Sequence, residues 1–263
     1  MPKSFLGNPA WDNALAGFTA GAVSTICLHP LDLVKTRFQV DNTVRSLSGK
    51  RQFGATFNTL KGILAKDGFT GLYRGVSPNF AGSTASWGFY FYWYDLIKRK
   101  MAKGDKLNKL TAIQHLTASA QAGIITAFVT NPLWVVKTRM CATSRKDPGA
   151  YKGLLGTNGL YQIIRYEGIR GLYKGMIPAL FGVSHGALQF MAYEEMKKWR
   201  FRISPNKDRD RLNNFEYLSM AASSKTFASV ATYPYQLIRA RLQNQKFEIR
   251  YYGVIDTIRK TYG

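Results

Sequence analysis

Hydrophobic positions gather into long stretches that polar residues interrupt without breaking. Ala14 to Val34 holds only His29 and Asp32 as ionisable groups, and as a helix it would span roughly 30 Å, the thickness of a bilayer core. Thr117 to Val136 and Ala221 to Ile238 are similar, while Asn79 to Tyr94 and Ile177 to Tyr193 are shorter and Gly-interrupted. Such modest hydrophobicity suits helices with one face on lipid and the other on a water-filled cavity, where polar residues are tolerated. The pattern predicts an all-α membrane protein.

The stretches recur with a period. Pro30-Leu-Asp-Leu-Val-Lys-Thr-Arg37, Pro132-Leu-Trp-Val-Val-Lys-Thr-Arg139 and Pro234-Tyr-Gln-Leu-Ile-Arg-Ala-Arg241 lie 102 residues apart both times, each after an apolar segment. Self-similarity at a fixed period means a repeat architecture, here threefold. Gly71-Leu-Tyr-Arg-Gly75 returns as Gly171-Leu-Tyr-Lys-Gly175, and Asp67-Gly68 as Glu167-Gly168. Tyr94-Asp-Leu-Ile-Lys98 returns as Tyr193-Glu-Glu-Met-Lys197. One unit reads as helix, proline-basic element, short amphipathic helix, helix, which divides the chain at 1–104, 105–206 and 207–263. Each of Pro30, Pro132 and Pro234 removes a backbone donor inside a long helix and bends it, letting three helices converge at one end.

Composition points elsewhere until its distribution is considered. A net charge of +22 and a mean hydropathy of -0.19 suit a soluble nucleic-acid binder, but the apolar spans argue against one, and no nucleic-acid partner is expected. Much of the basic charge lies in connecting segments (Arg45, Lys50, Arg51, Lys61, Lys66; Arg145, Lys146, Lys152, Arg165; Arg200 to Arg211), where anionic headgroups can be met. A positive funnel also concentrates an anionic cargo. Cys27 and Cys141 have neither metal nor disulfide spacing. Three isolated histidines form no catalytic constellation, so neither an enzyme nor a metal site is expected. No cleavable signal is evident before Trp11.

This order of motifs resembles the mitochondrial carrier family, over the whole chain. The resemblance implies a threefold pseudo-symmetric bundle with five of six transmembrane helices plus short matrix helices. The sixth helix would lie past Gly263, so the chain reads as a fragment. It implies a monomer, multi-pass in the mitochondrial inner membrane (alternatively the peroxisomal membrane), in contact with lipid, cardiolipin first. Basic and acidic residues after each proline would form a matrix gate: Asp32 with Lys137 as an ion pair, Trp134 with Arg239 as a cation-π contact, and Gln236 with Lys35 as a hydrogen bond. Gln39 and Gln243 match a glutamine brace, and Cys141 breaks that pattern. Tyr94, Asp95 and Lys98 with Tyr193, Glu194 and Lys197 resemble a cytoplasmic gate in which Lys98 pairs with Glu194, while the partners of Asp95 and Lys197 fall on the sixth helix. Small residues at Gly17 and Gly21, and at Ser119 and Gly123, would let neighbouring helices approach.

Local sequence around the even-numbered helices looks like the FAD and folate carrier branch. The implied function is transport of a large anionic cofactor by alternating access, FAD first and folate second, with NAD or another nucleotide, or a non-transporting membrane protein, as alternatives. No catalytic cofactor is implied; FAD or folate would be cargo. Contact positions carried over are Thr25, Gly82, Phe181, Gly182, His185 and Ser229. Gly82 and Gly182 would leave room for a planar ring, with Trp87, Tyr90 and Phe181 stacking on it. Lys225 stands where the other repeats have Gly21 and Gly123, and an ammonium at that depth is costly unless it faces water or an anion. Lys225 and His185 would meet phosphate or carboxylate groups.

Overall fold

The computed structural model describes residues 9–40, 54–102, 112–144, 146–147, 150–151, 159–203, 213–245 and 251–262. Of the basic residues singled out above, Arg45, Lys50, Arg51, Arg145, Lys152, Lys207, Arg209 and Arg211 lie outside these. The helices are α1 (Pro9–Val40), α2 (Ala55–Asp67), α3 (Val76–Ala102), α4 (Ala112–Ala142), α5 (Leu160–Leu172, interrupted by a kink at Gly168), α6 (Met176–Leu180), α7 (Gly182–Ile203), α8 (Asn214–Asn244) and α9 (Val254–Tyr262), with a 3-10 turn at Phe69–Tyr73. No strand occurs among the described residues.

The long helices α1, α4 and α8 each run through their motif proline and pack pairwise against one another, while α3 packs along α4 and α7 along α8. Their meeting point is set by sequence register. Leu33, Val135 and Leu237, three residues after each proline, are buried, as are Val34, Val136 and Ile238. Ile63 of α2, Ile163 of α5 and Tyr251 before α9 close these apolar clusters from below. Apolar burial of this kind contributes about 1.5–3 kcal/mol per large side chain. The start of α8 is fixed by a capping box between Asn213 and Glu216, and Glu216 also takes Arg200 at 2.6 Å, tying the end of α7 to it.

Two glycines explain the recurrent Gly-Leu-Tyr-basic-Gly motif. Gly75 and Gly175 have φ of 83° and 75°. A Cβ at Gly75 would come within 2.8 Å of the Cys141 Sγ, and one at Gly175 within 2.8 Å of the Gln243 side chain. Each therefore turns the chain hard against the end of the next long helix, a place only glycine fills.

Among the described residues no helix is long and apolar enough to cross a membrane, although α1 has 32 residues. Two other expectations are corrected here. Gly21 is exposed with nothing within 4 Å of where its Cβ would lie, so among the described residues it mediates no close helix approach. On α4 the anticipated contact does occur: Ser119 is 2.7 Å from the Tyr90 hydroxyl of α3. The fourth long segment is broken at Phe181 into α6 and α7, with the Ser184 hydroxyl donating to the Phe181 carbonyl at 2.6 Å.

Candidate functional site

Between α3, α4, α6, α7 and α8 lies a cavity of about 860 Å3, with Thr36 and Gln39 of α1 reaching it. This is within the usual range for small-molecule sites. Trp134 anchors one side. Its indole N–H donates to Ser86 Oγ at 3.3 Å, Ser86 donates to Thr130 Oγ1 at 3.3 Å, and its ring fills the space over Gly82, 3.6 Å from where a Cβ would stand. Lys137 and Arg239 lie 5.7 Å and 5.9 Å from the indole ring centre. Lys35 Nζ donates to Gln236 Oε1 at 3.4 Å. The Arg239–Trp134 and Lys35–Gln236 contacts thus join α8 to α4 and α1, the pairings that the resemblance implies.

Asp32 behaves differently from expectation. It is exposed, and among the described residues it makes no ion pair with Lys137, whose ammonium sits against the indole instead. A double-mutant cycle on stability should therefore give a coupling of about 0.5–1 kcal/mol for Trp134→Leu with Arg239→Gln and close to zero for Asp32→Asn with Lys137→Gln. The reverse order would place the ion pair, not the aromatic contact, at this level.

Beneath the cavity a ring of bonds from arginine side chains to main-chain carbonyls closes the three long helices, which was not anticipated from the sequence. Arg37 Nε donates to the Cys141 carbonyl at 3.1 Å, Arg139 Nε to the Gln243 carbonyl at 2.9 Å, and Arg241 Nε to the Gln39 carbonyl at 3.3 Å. Each acceptor is the ninth residue after its own proline. The odd residue at this level, Cys141, thus costs nothing to the ring, because the acceptor is backbone. The Gln243 side chain accepts from the Thr138 hydroxyl at 2.9 Å. The signal available in the sequence was the arginine recurring at the motif period.

The arginine of the second repeat is the most heavily bonded. Fully buried, Arg139 makes a two-pronged bond to Glu167 at 2.5 and 2.9 Å and reaches the Tyr151 hydroxyl at 3.2 Å. Lys174 adds a second cation to Glu167 at 2.6 Å. Burial pushes the Glu167 carboxyl up, but the hydrogen bonds and charges of Arg139 and Lys174 outweigh it and hold the group below the usual carboxylate range. In the first repeat the matching Arg37–Asp67 pair is open, at 3.9 Å.

Other expected contact residues separate into two groups. Trp87, Tyr90, Gly182 and His185 line the cavity, with Tyr235 of α8 as a lining residue not anticipated. Phe181 is 59% exposed and points elsewhere, one residue out of register with Gly182. Thr25 and Ser229 are half-buried and Lys225 is exposed; none of the three lines the cavity. Lys225 does share a helix face with Gln236 and Gln243 by spacing. The room anticipated over Gly82 is taken by Trp134, whereas above Gly182 the nearest atom is the Tyr235 hydroxyl at 3.9 Å.

At the far end of the long helices, Asp95 pairs with Arg99 on its own helix at 2.7 Å, and the Tyr94 hydroxyl meets His115 Nδ1 at 2.9 Å. Among the described residues Lys98 makes no ion pair with Glu194, nor Lys197 with an acid. The described hydrogen bonds among α1, α4 and α8 are gathered at the proline-motif end, while Tyr94–His115 and Arg200–Glu216 tie α3 to α4 and α7 to α8 at the other.

Comparison with known proteins gives this threefold arrangement its place. The mitochondrial carrier protein family profile matches residues 7–105, 108–204 and 210–263. The chain belongs to the mitochondrial carrier family. Among curated proteins the carrier is 41% identical over 261 residues to Folate transporter 1, chloroplastic, of Arabidopsis thaliana, covering 95% of this chain and 83% of that one. It is 35% identical to the mitochondrial FAD carrier protein FLX1 of Saccharomyces cerevisiae, covering 92% and 83%. With the mitochondrial Nicotinamide adenine dinucleotide transporter 2 of Arabidopsis thaliana it shares 38% identity, covering 95% and 69%. The carrier is thus similar to transporters whose names carry three different cofactors.

Proposed function

We propose that this carrier moves a large anionic cofactor, FAD first and folate second, across the mitochondrial inner membrane by alternating access. The observation that carries the reading is the cavity itself: about 860 Å3, reached by all three repeats, with Trp134 set between Lys137 and Arg239. A cationic floor beside aromatic walls suits a ligand with phosphate or carboxylate at one end and a planar ring at the other. The named relatives carry folate, FAD and NAD, which share that chemistry.

In this reading α1, α3, α4, α6 with α7, and α8 span the bilayer. Large apolar side chains exposed on their outer sides, such as Ile26, Phe91, Phe128, Phe190 and Phe227, support it, because exposed apolar surface on this scale marks a contact with lipid or protein. Loop cations meet anionic lipid, cardiolipin first, and the working unit is a monomer. The Lys35–Gln236 and Trp134–Arg239 contacts act as the matrix gate, with Gln39 and Gln243 below them. Tyr94, Asp95, Lys98, Tyr193, Glu194 and Lys197 form the opposing gate when the matrix side opens. Cargo engaging Arg239 and Lys137 competes with the indole for them, and that differential binding supplies the energy for the switch.

Uptake into liposomes tests this. Reconstituted protein given FAD, FMN, folates, NAD and ATP should show saturable uptake of FAD, exceeding that of ATP. Preference for NAD would favour the nucleotide alternative, and no saturable uptake of any of them would refute the transport reading for this chain.

A further inference from the structure

The hydrogen bonds around Thr232 have fixed directions, because several partners can play only one part. Thr232 Oγ1 lies 2.6 Å from the Ala228 carbonyl, which only accepts, so the hydroxyl proton is committed there. The Lys35 ammonium only donates, so Gln236 turns Oε1 toward it and its NH2 toward Thr232 Oγ1, at 3.0 Å. The remaining lone-pair side of the hydroxyl faces His185 Nδ1 at 2.8 Å, with the Tyr235 side chain also near Thr232. Thr232 has no proton left to give, so Nδ1 must carry the hydrogen. A neutral imidazole has one N–H, which leaves Nε2 a bare acceptor. His185 lines the cavity, and among the described residues it makes no hydrogen bond other than the one to Thr232.

We infer that His185 is a specificity-determining residue held as its Nδ1–H tautomer, with Nε2 accepting a hydrogen bond from an N–H or NH2 edge of the cargo's planar ring. This rests on the transport reading above and refines it. An acceptor nitrogen disfavours the oxygens of phosphate or carboxylate, so the anionic end of the cargo goes to Lys137 and Arg239, and His185 reads the ring instead of the charge. Thr232 and Gln236 are positioning residues: they hold the tautomer and join it to Lys35 across α8.

Two measurements test the inference, the first without cargo. The chain has three histidines, and His29 serves as an internal reference, since its Nε2 lies 3.0 Å from the Arg74 carbonyl and must be the protonated nitrogen. In histidine-15N-labelled protein in detergent at about pH 8, above the ordinary imidazole value, His29 and His185 should show opposite tautomers. The His185 signals are those lost in His185→Gln. Protonation of His185 on Nε2 would overturn the proposal.

The second measurement is binding of FAD, folate and NAD to purified protein; each offers an N–H or NH2 on a planar ring. His185→Gln, which can turn an amide oxygen to the cavity, should stay within a few-fold of wild type for the cargo that binds. His185→Lys, which has donors only, should bind it about tenfold or more weakly. Tighter binding by the lysine variant than by both others would mean an anion contact and overturn the proposal. If none of the three compounds binds wild type, the choice of cargo fails, and the cargo half of this inference with it, while the spectrum still decides the tautomer.

Discussion

Glu167→Gln should destabilise the carrier by about 3–5 kcal/mol, because it leaves the buried Arg139 guanidinium without its counter-charge. The site is closed on every side: Arg139 is fully buried, its side chain also donates to the Gln243 and Gln245 carbonyls, and Lys174 depends on the same carboxylate. Asp67→Asn in the first repeat should cost less, about 1–3 kcal/mol, since the Asp67 side chain is buried but stands 3.9 Å from Arg37, which is itself partly exposed and also held by the Cys141 carbonyl. Thermal unfolding in detergent compares the two directly, and equal losses would sink the argument.

The same pair sets a pH dependence. Glu167 is held below its ordinary range in the folded protein, so its contribution is fully present above the unfolded value near 4.3 and is lost as pH falls through the lower folded value. Wild type should therefore lose stability on acidification through that window, and Glu167→Gln should lose less. A parallel pH profile for both proteins would show that the carboxylate is not the group responsible.

Arg239→Ala should weaken binding of an anionic cargo by about 10- to 100-fold, the scale of one charge-assisted hydrogen bond, with Arg239→Lys recovering part of it. Lys225→Ala should have a smaller effect, because Lys225 is exposed and outside the cavity lining. Comparing ligand-induced thermal shifts on the three variants is decisive: a greater loss from Lys225→Ala than from Arg239→Ala would move the anionic end of the cargo about four turns along α8.

Much of this architecture was legible along the chain. The 102-residue period and the proline-basic motif foretold three long helices and the short helices between them, since helix formation and apolar periodicity are local properties. The Trp134–Arg239 and Lys35–Gln236 pairings were implied by the family resemblance, and the structure brings both pairs of side chains together.

Rotation was another matter. A helix turns about 100° per residue, so of the two adjacent contact positions carried over, Gly182 lines the cavity and Phe181 does not. Hydropathy alone could not certify the spans either, since a helix with a polar inner face dilutes its own apolar signal.

The amino-acid sequence by itself thus determined the repeat, the element order and the levels at which charged and aromatic residues stand, because these depend on chain-local periodicity. Only the tertiary structure decided that Trp134 occupies the space over Gly82, that Asp32 and Lys137 stay apart, and that three arginines grip backbone carbonyls. The physical reason is that a carbonyl is the same acceptor under every side chain, and the space above a glycine belongs to whichever neighbour packs there first. Neither is written in residue identities.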